Sequence, residues 1–301
     1  MRIVFLGTPD FAVPALQSLV EKYEVIAVVC QPDKARDRKG HPIYGAVKSE
    51  AIKLNLPIYQ FEKIRQDGVD VLKELAPDLM ITCAYGQILS QEILDIPKYG
   101  VLNIHGSLLP DLRGSAPIQW ALIDGYDKTG VTIMKTALGM DTGDIVSVKE
   151  IAIPDNFYLE DLYNEMKKVG AELLIETIPL YVNGQIVPVP QDESKATKCR
   201  MIEKEDAKLD FSLSAQKIRN KIRGIGYGYF FYNGSMIKVF KADVCEDVSM
   251  ARQIISLDKK GLKIACGEKS LVFTELQVQG KRRMNSVDFS NGNKMIGEVD
   301  L

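Results

Sequence analysis

Short apolar runs alternate with longer amphipathic stretches through the first half of the chain. Runs such as Arg2–Gly7, Glu24–Cys30 and Leu79–Ala84 have no polar face, which is typical of strands buried on both sides of a sheet. Between them, apolar positions recur at helical spacing, as in Pro14–Lys22 and Ala46–Asn55. This alternation predicts an α/β domain whose parallel-rich sheet is covered by helices on both faces.

A long amphipathic helix and a polar segment mark the end of this first domain. Apolar residues at positions i, i+4, i+7 and i+11 predict a helix over Leu159–Tyr181. The following stretch contains Pro188 and Pro190 and is then almost wholly polar, which predicts a linker. We therefore divide the chain into a first domain, a linker and a second domain, with the boundaries 1–185, 186–205 and 206–301.

The second domain is predicted to consist of short strands. Tyr229–Tyr232 and Met236–Val244 flank Asn233-Gly234, a residue pair typical of hairpin turns. Frequent turns between such strands predict a small β-barrel. Residues 206–301 carry 16 Lys and Arg against 11 Asp and Glu, a net charge of +5, whereas the rest of the chain carries 22 against 29, a net charge of −7. This imbalance fits a polyanionic partner, and it also fits an ordinary solvated surface.

Composition argues against several classes of function. The five cysteines have no C-x-x-C spacing and the two histidines, His41 and His105, lie far apart, so we expect no metal site. No apolar run approaches the about 20 residues of a membrane span, which predicts a cytoplasmic protein without a membrane partner. The loop after the first strand has one glycine where dinucleotide-binding loops have three, so a nicotinamide dehydrogenase is a weak alternative.

A polar pair interrupts the apolar strand predicted over Gly100–His105. Asn103 and His105 are two residues apart and therefore face the same side of the strand, at a carboxyl-end edge where open α/β sheets bind ligands. Asp141 lies in a glycine-containing loop, which we expect to bring a carboxylate to the imidazole and to raise its pKa above about 6.5. The structural alternatives are a histidine bonded to a loop carbonyl and an aspartate in an Asx turn.

The segments around these positions resemble the signature of the folate-dependent formyltransferases. The shared segments are N-I-H-G-S-L-L-P, R-G-S-A-P-I-Q-W and M-D-T-G-D, together with FLGTPDFA, QPD, AYG and GVTIM. They occur in the family's order from Arg2 to about Asp210, and the series is most similar to the branch that formylates methionyl-tRNA. The resemblance implies a Rossmann-like first domain, an OB-like β-barrel after it, and 10-formyltetrahydrofolate as formyl donor. We expect the chain to act as a monomer.

By position, the resemblance implies that Asn103, His105 and Asp141 are catalytic, with Asn103 and a protonated His105 donating hydrogen bonds to the formyl oxygen. It implies two folate-binding loops, made of Ser107, Leu108, Leu109 and Pro110 and of Ala84, Tyr85, Gly86, Gln87 and Ile88. It also implies that initiator methionyl-tRNA binds a basic insertion and the C-terminal domain. The candidate contacts with tRNA are Arg36, Arg38, Lys39, Arg219, Arg223 and Lys281.

Two other functions fit parts of the same pattern. One is a formyltransferase that acts on an amino-sugar nucleotide or another small amine, and the other is a non-catalytic tRNA-binding homologue. The basic segment 31–45 favours tRNA, although a solvated connection would have a similar composition, and the complete catalytic set favours an enzyme. The sequence departs from the family pattern at Gly224–Gly228 and Asp247–Met250, both in the C-terminal domain.

Overall fold

The computed structural model describes residues 1–34, 40 and 42–300. The chain forms two compact units, each assembled from separate stretches of sequence. The first contains Met1–Gly114, Thr129–Ala152 and Tyr163–Cys199. The second contains Ser115–Lys128, Ile153–Leu162 and the described chain from Arg200 onward.

Strands and helices alternate early in the chain, and strands predominate late. The strands are β1 (Arg2–Gly7), β2 (Glu24–Cys30), β3 (Ile58–Gln60), β4 (Leu79–Cys83), β5 (Val101–His105), β6 (Arg113–Gly114), β7 (Lys128–Lys135), β8 (Ile145–Ala152), β9 (Lys198–Cys199), β10 (Gly228–Tyr232), β11 (Ser235–Cys245), β12 (Ile254–Asp258), β13 (Gly261–Ala265), β14 (Ser270–Val278) and β15 (Met284–Asn285). The helices are α1 (Val13–Lys22), α2 (Ala46–Lys53), α3 (Ile64–Asp67), α4 (Val69–Leu75), α5 (Gln91–Leu94), α6 (Pro117–Ile123), α7 (Leu159–Val182), α8 (Ala215–Ile225) and α9 (Ser286–Gly292).

A seven-stranded sheet forms the centre of the first unit, in the order β3-β2-β1-β4-β5-β7-β8. The strands from β3 to β5 pair in parallel, and β7 pairs antiparallel to β5. The apolar residues of β1 and β4 are buried, as expected for central strands with both faces covered. The predicted parallel-rich α/β fold is confirmed, and the antiparallel pairing of β7 with β5 brings β7 beside His105.

A six-stranded antiparallel sheet forms the second unit, in the order β10-β11-β14-β13-β12 with β15 beside β14. Asn233 and Gly234 both have positive φ, 49° and 71°, between β10 and β11, as a two-residue hairpin turn requires. Phe211, Phe230 and Phe273 pack edge-on or tilted in its core. The predicted antiparallel C-terminal domain is confirmed, while its closure into a barrel stays a prediction.

Helix α8 belongs to the second unit and has clear start and stop signals. The Ser214 side chain accepts a hydrogen bond from the Lys217 N–H at its beginning, and Gly226 ends it with φ of 88°. Its glycine at position 224 lets it approach α6 closely, because a Cβ there would lie 2.7 Å from the Gln119 carbonyl oxygen. Within the described ranges, no helix combines the length and apolar character that a membrane span requires.

Candidate active site

The carboxyl ends of β4 and β5 bring Asn103 beside Thr82. The two strands pair in parallel with Thr82 opposite Asn103. The Thr82 hydroxyl donates a hydrogen bond of 2.8 Å to Asn103 Oδ1. Because this bond occupies the amide oxygen, it fixes the orientation of the side chain and directs the Asn103 NH₂ group the other way. Thr82 was not among the predicted site residues, although it is the polar residue of an otherwise apolar strand.

His105 is buried at the end of the same strand. Its side chain is 6% exposed, and Nε2 lies 3.1 Å from the Leu112 carbonyl oxygen. A carbonyl only accepts hydrogen bonds, so Nε2 carries the proton and donates it. The other ring nitrogen, Nδ1, lies 3.6 Å from Asp141 Oδ1. The structure therefore combines the two interpretations of this histidine, a bond to a loop carbonyl and an approach to a carboxylate.

Burial lowers the pKa of His105 below its ordinary value of 6.5, and the Asp141 carboxylate and the Leu112 carbonyl oppose this shift. The carboxylate acts in the direction that the sequence predicted. The expectation of a net rise in the pKa is wrong, however. At this distance, the loss of hydration destabilises the imidazolium more than the carboxylate stabilises it. A pKa lowered in this way favours the neutral imidazole in the folded protein.

Asp141 reaches the imidazole from a loop with an uncommon backbone conformation. Its φ is 53°, in the left-handed region that non-glycine residues adopt only when surrounding contacts hold them there. Asp141 Oδ2 accepts a 2.9 Å hydrogen bond from the Gly114 N–H. Because this donor lies 27 residues away in sequence, the carboxylate is positioned by tertiary structure rather than by an Asx turn.

The glycine of the M-D-T-G motif allows this loop to turn back on β7. A Cβ at Gly143 would lie 1.7 Å from the Lys135 carbonyl oxygen, so any side chain there would displace the loop. Gln191, from the segment predicted as a linker, is buried and donates hydrogen bonds to the Asp141 and Gly143 carbonyl oxygens, at 2.8 and 2.7 Å. No sequence pattern indicates this contact, since Gln191 lies in a polar stretch.

The two predicted folate loops follow β5 and β4 and so begin at the same edge of the sheet. Ser107 is buried and its hydroxyl donates to the Asp111 carbonyl oxygen. Leu108 packs where a side chain at Gly130 would collide with it. Leu109 is also buried, and its N–H donates to the Thr132 hydroxyl at 3.1 Å. This N–H is therefore already engaged and is not available to a ligand.

The second loop, from Ala84 to Ile88, contains both buried and exposed side chains. Ala84 and Gly86 both have positive φ, 47° and 83°. The Gln87 side chain bonds to the Phe61 carbonyl oxygen and the Ile64 N–H, so it supports the loop. The Ile88 side chain is largely exposed. The Tyr85 hydroxyl is buried, and no partner for it occurs in the described part of the chain.

The comparisons with known proteins agree along the whole chain. The formyl transferase family model matches residues 1–178, and the model of the formyl transferase C-terminal domain matches residues 201–294. The methionyl-tRNA formyltransferase of Bacillus licheniformis is 41% identical over 299 residues, which cover 97% of this chain and 95% of that protein. The chain belongs to the methionyl-tRNA formyltransferase family. The enzyme of the same name from Citrifermentans bemidjiense is 40% identical over 98% of this chain and 94% of its own length.

Solved structures of more distant transferases share the fold of this family member. A sugar 3N-formyl transferase, WlaRD, solved with dTDP and 5-N-formyl-THF, has a TM-score of 0.69 at 20% identity and covers 94% of this chain and 99% of that one. The N-formyltransferase of Helicobacter canadensis, solved with folinic acid and dTDP-3-aminofucose, has a TM-score of 0.68 at 18% identity and covers 90% and 98%. At these identities the likeness concerns the fold alone.

Two of the predicted tRNA contacts of this family member are buried arginines. Arg219 donates to the Ala242 carbonyl oxygen at 3.1 Å and pairs with Asp155 at 2.7 Å. Arg223 donates to the Phe157 and Pro154 carbonyl oxygens at 2.7 and 3.1 Å. Both guanidinium groups stabilise the second unit, and with 8% and 5% of their side chains exposed they offer almost no surface to a phosphate. Their prediction as tRNA contacts is therefore not supported.

The other predicted tRNA contacts lie elsewhere in the chain. Arg36, Arg38 and Lys39 lie outside the described residues, and so does His41. Lys281 is exposed after β14. No group of three or more His, Cys, Asp or Glu side chains arranged to hold a metal ion occurs within residues 1–34, 40 and 42–300. All five cysteines are free thiols, and burial raises the pKa of Cys266 to about 12, which disfavours the thiolate.

Proposed function

We propose that this chain transfers the formyl group of 10-formyltetrahydrofolate to the amino group of methionine on initiator methionyl-tRNA. The observation that carries the proposal is the approach of Asp141 to His105, with Asn103 on the same strand face. The set occurs in a chain that resembles methionyl-tRNA formyltransferases over nearly its whole length. The product is the formylated initiator that begins translation, so we place the enzyme in the cytoplasm, acting as a monomer.

Asn103 is suited to stabilise the developing negative charge. When the amine attacks the formyl carbon, charge builds on the formyl oxygen. The Asn103 NH₂ group is free of the Thr82 contact that holds its oxygen, so it can donate to that oxygen. In other enzymes, removal of a donor of this kind raises the activation barrier by about 3 kcal/mol.

His105 is suited to move the proton that the attacking amine must lose. A neutral imidazole can accept this proton at Nδ1, and the Asp141 carboxylate and the Leu112 carbonyl then stabilise the imidazolium from its two sides. His105 returns the proton to the folate nitrogen as the carbon–nitrogen bond breaks. One proton leaves the amine and one reaches the departing nitrogen, so the transfer balances without a covalent enzyme intermediate.

The two loops beside this edge are suited to hold the folate. The folate supplies the formyl group on its nitrogen, and the apolar Leu108 and Ile88 side chains are available as walls for a flat ring. The buried Tyr85 hydroxyl without a described partner is the observation that fits a polar ligand, because buried polar groups are normally hydrogen-bonded. We propose that tRNA is bound by the segment containing Arg36, Arg38 and Lys39 and by exposed lysines such as Lys281.

An acceptor assay separates this proposal from its alternatives. The purified chain is incubated with 10-formyltetrahydrofolate and either initiator methionyl-tRNA or a nucleotide-linked amino sugar. We expect formylmethionyl-tRNA to accumulate at a rate at least 100-fold above any transfer to the sugar. N-acetylmethionyl-tRNA, which lacks the free amine, is the control acceptor. Transfer to the sugar alone would support the sugar formyltransferase, and tRNA binding without turnover would support the non-catalytic homologue.

A further inference from the structure

The Gln191 side chain connects two loops that meet at Asp141. Its Nε2 donates to the carbonyl oxygens of Asp141 and Gly143, and its Oε1 accepts a 2.9 Å hydrogen bond from Arg113 Nε. Both donors and the acceptor of the amide are therefore used, in a side chain that is buried. Such a fully bonded buried amide fixes the positions of its partners.

Arg113 and the residue after it connect the Gln191 amide to the Asp141 carboxylate. Its guanidinium is buried and forms a forked pair with Glu193, at 2.9 and 2.7 Å. The next residue, Gly114, donates its N–H to Asp141 Oδ2. The Arg113-Gly114 backbone, Gln191 and Asp141 thus form a closed ring, in which Gln191 holds the Asp141 backbone carbonyl and the Gly114 N–H holds its carboxylate.

We propose that Gln191 is a positioning residue that orients the Asp141 carboxylate toward His105, an inference that rests on the proposed formyl transfer. The left-handed backbone of Asp141 costs free energy on its own. Two hydrogen bonds from a single amide to residues 141 and 143 hold both ends of that turn. Without them the loop can relax, and displacements of about 1 Å at a catalytic group reduce rates by up to about 100-fold.

Kinetics of two substitutions at this position test the proposal. Gln191→Met keeps the length of the side chain and removes all three hydrogen bonds, whereas Gln191→Glu keeps the acceptor for Arg113 and loses the two donors. We expect kcat to fall at least tenfold in both, while KM for folate and for methionyl-tRNA stays within twofold. The matched control is Thr177→Val, which removes a buried hydroxyl bonded to Ser147 and Leu173 in the same unit and should lower the melting temperature without changing kcat.

Titration of the imidazole by NMR gives a readout independent of activity. The chain has only two histidines, and loss of one signal in His105→Gln identifies the His105 resonance. Since the carboxylate opposes the burial-driven fall in the pKa of His105, Gln191→Met should move its titration to lower pH, and Thr177→Val should not. An unchanged titration and a kcat within twofold of wild type would overturn the inference, as would an equal loss of kcat in Thr177→Val. An inactive wild type would instead contradict the proposed function.

Discussion

At the scale of single residues, the site depends on a competition over the charge of His105. Burial lowers the pKa of the imidazole, and the Asp141 carboxylate and the Leu112 carbonyl raise it. The net shift is downward, so the folded protein binds a proton at this position less readily than the unfolded chain does. This difference makes the stability of the fold depend on pH between the folded-state pKa and about 6.5.

Substitution of His105 should therefore make the protein less sensitive to acid. Below pH 6.5 the unfolded wild-type chain takes up a proton that the folded state resists, and stability is lost as the pH falls. His105→Gln lacks this group, so its melting temperature should fall less than that of the wild type between pH 7.5 and pH 5.5. Thermal unfolding at the two pH values measures this, and a steeper fall in the variant would refute the direction of the shift.

Only part of this residue-scale picture could be predicted from the sequence. Asn103 and His105 were predicted because strand periodicity and the family motif both single them out, and Asp141 because the motif and its glycine-containing loop do. Thr82 and Gln191 were not, since their partners lie 21 and about 50 residues away and no local pattern reports such contacts. The resting charge of His105 depends on burial, which a sequence does not quantify.

At the scale of elements, α8 shows how a basic helix can be structural. Its apolar residues Ile218 and Ile222 are buried, and so are two of the arginines that the charge pattern suggested for tRNA. Burial lowers the pKa of Arg223, and the neighbouring Asp155 opposes this shift. The guanidinium also donates hydrogen bonds to two backbone carbonyls. A net-positive composition thus overstated the basic surface of this helix.

Removal of the Arg219 guanidinium should affect stability rather than tRNA binding. Arg219→Met leaves the Ala242 carbonyl and Asp155 without this donor, and we expect a loss of about 2 kcal/mol in the free energy of unfolding. The control is Lys217→Met, an exposed residue of the same helix, which should change stability by less than about 0.5 kcal/mol. Denaturant unfolding measures both. If Arg219→Met instead raised KM for tRNA with unchanged stability, the result would support the predicted contact between Arg219 and a tRNA phosphate.

Element type was predictable where the pattern was long, and less so where it was short. The apolar strands β1, β2 and β4 and the helix α7 follow the prediction closely. The direction of β7 was not predictable, because periodicity reports which faces are buried and not how a strand pairs. Helices α6 and α9, of seven residues each, are too short for helical periodicity to emerge.

At the scale of the whole molecule, the chain combines two units whose stretches alternate in sequence. Residues 115–128 and 153–162 belong with the C-terminal sheet although they precede the predicted linker. Composition and linker signals divide a chain into consecutive pieces, so they do not reveal a unit that is assembled from separate stretches of sequence. Tyr163–Cys199 belongs to the first unit, which is why a polar segment can supply Gln191 to the loop that carries Asp141.

Single-turnover formylation of methionyl-tRNA by wild type, Asn103→Ala and His105→Gln, at saturating folate and tRNA, directly tests the proposed roles of Asn103 and His105. Single turnover isolates the transfer step, in which we propose that the Asn103 amide stabilises the oxygen and the His105 imidazole carries the proton. We predict rates lower than wild type by about 100-fold for Asn103→Ala and by at least that factor for His105→Gln, in variants that remain folded. Rates within tenfold of wild type in both variants would show that these residues do not perform the transfer.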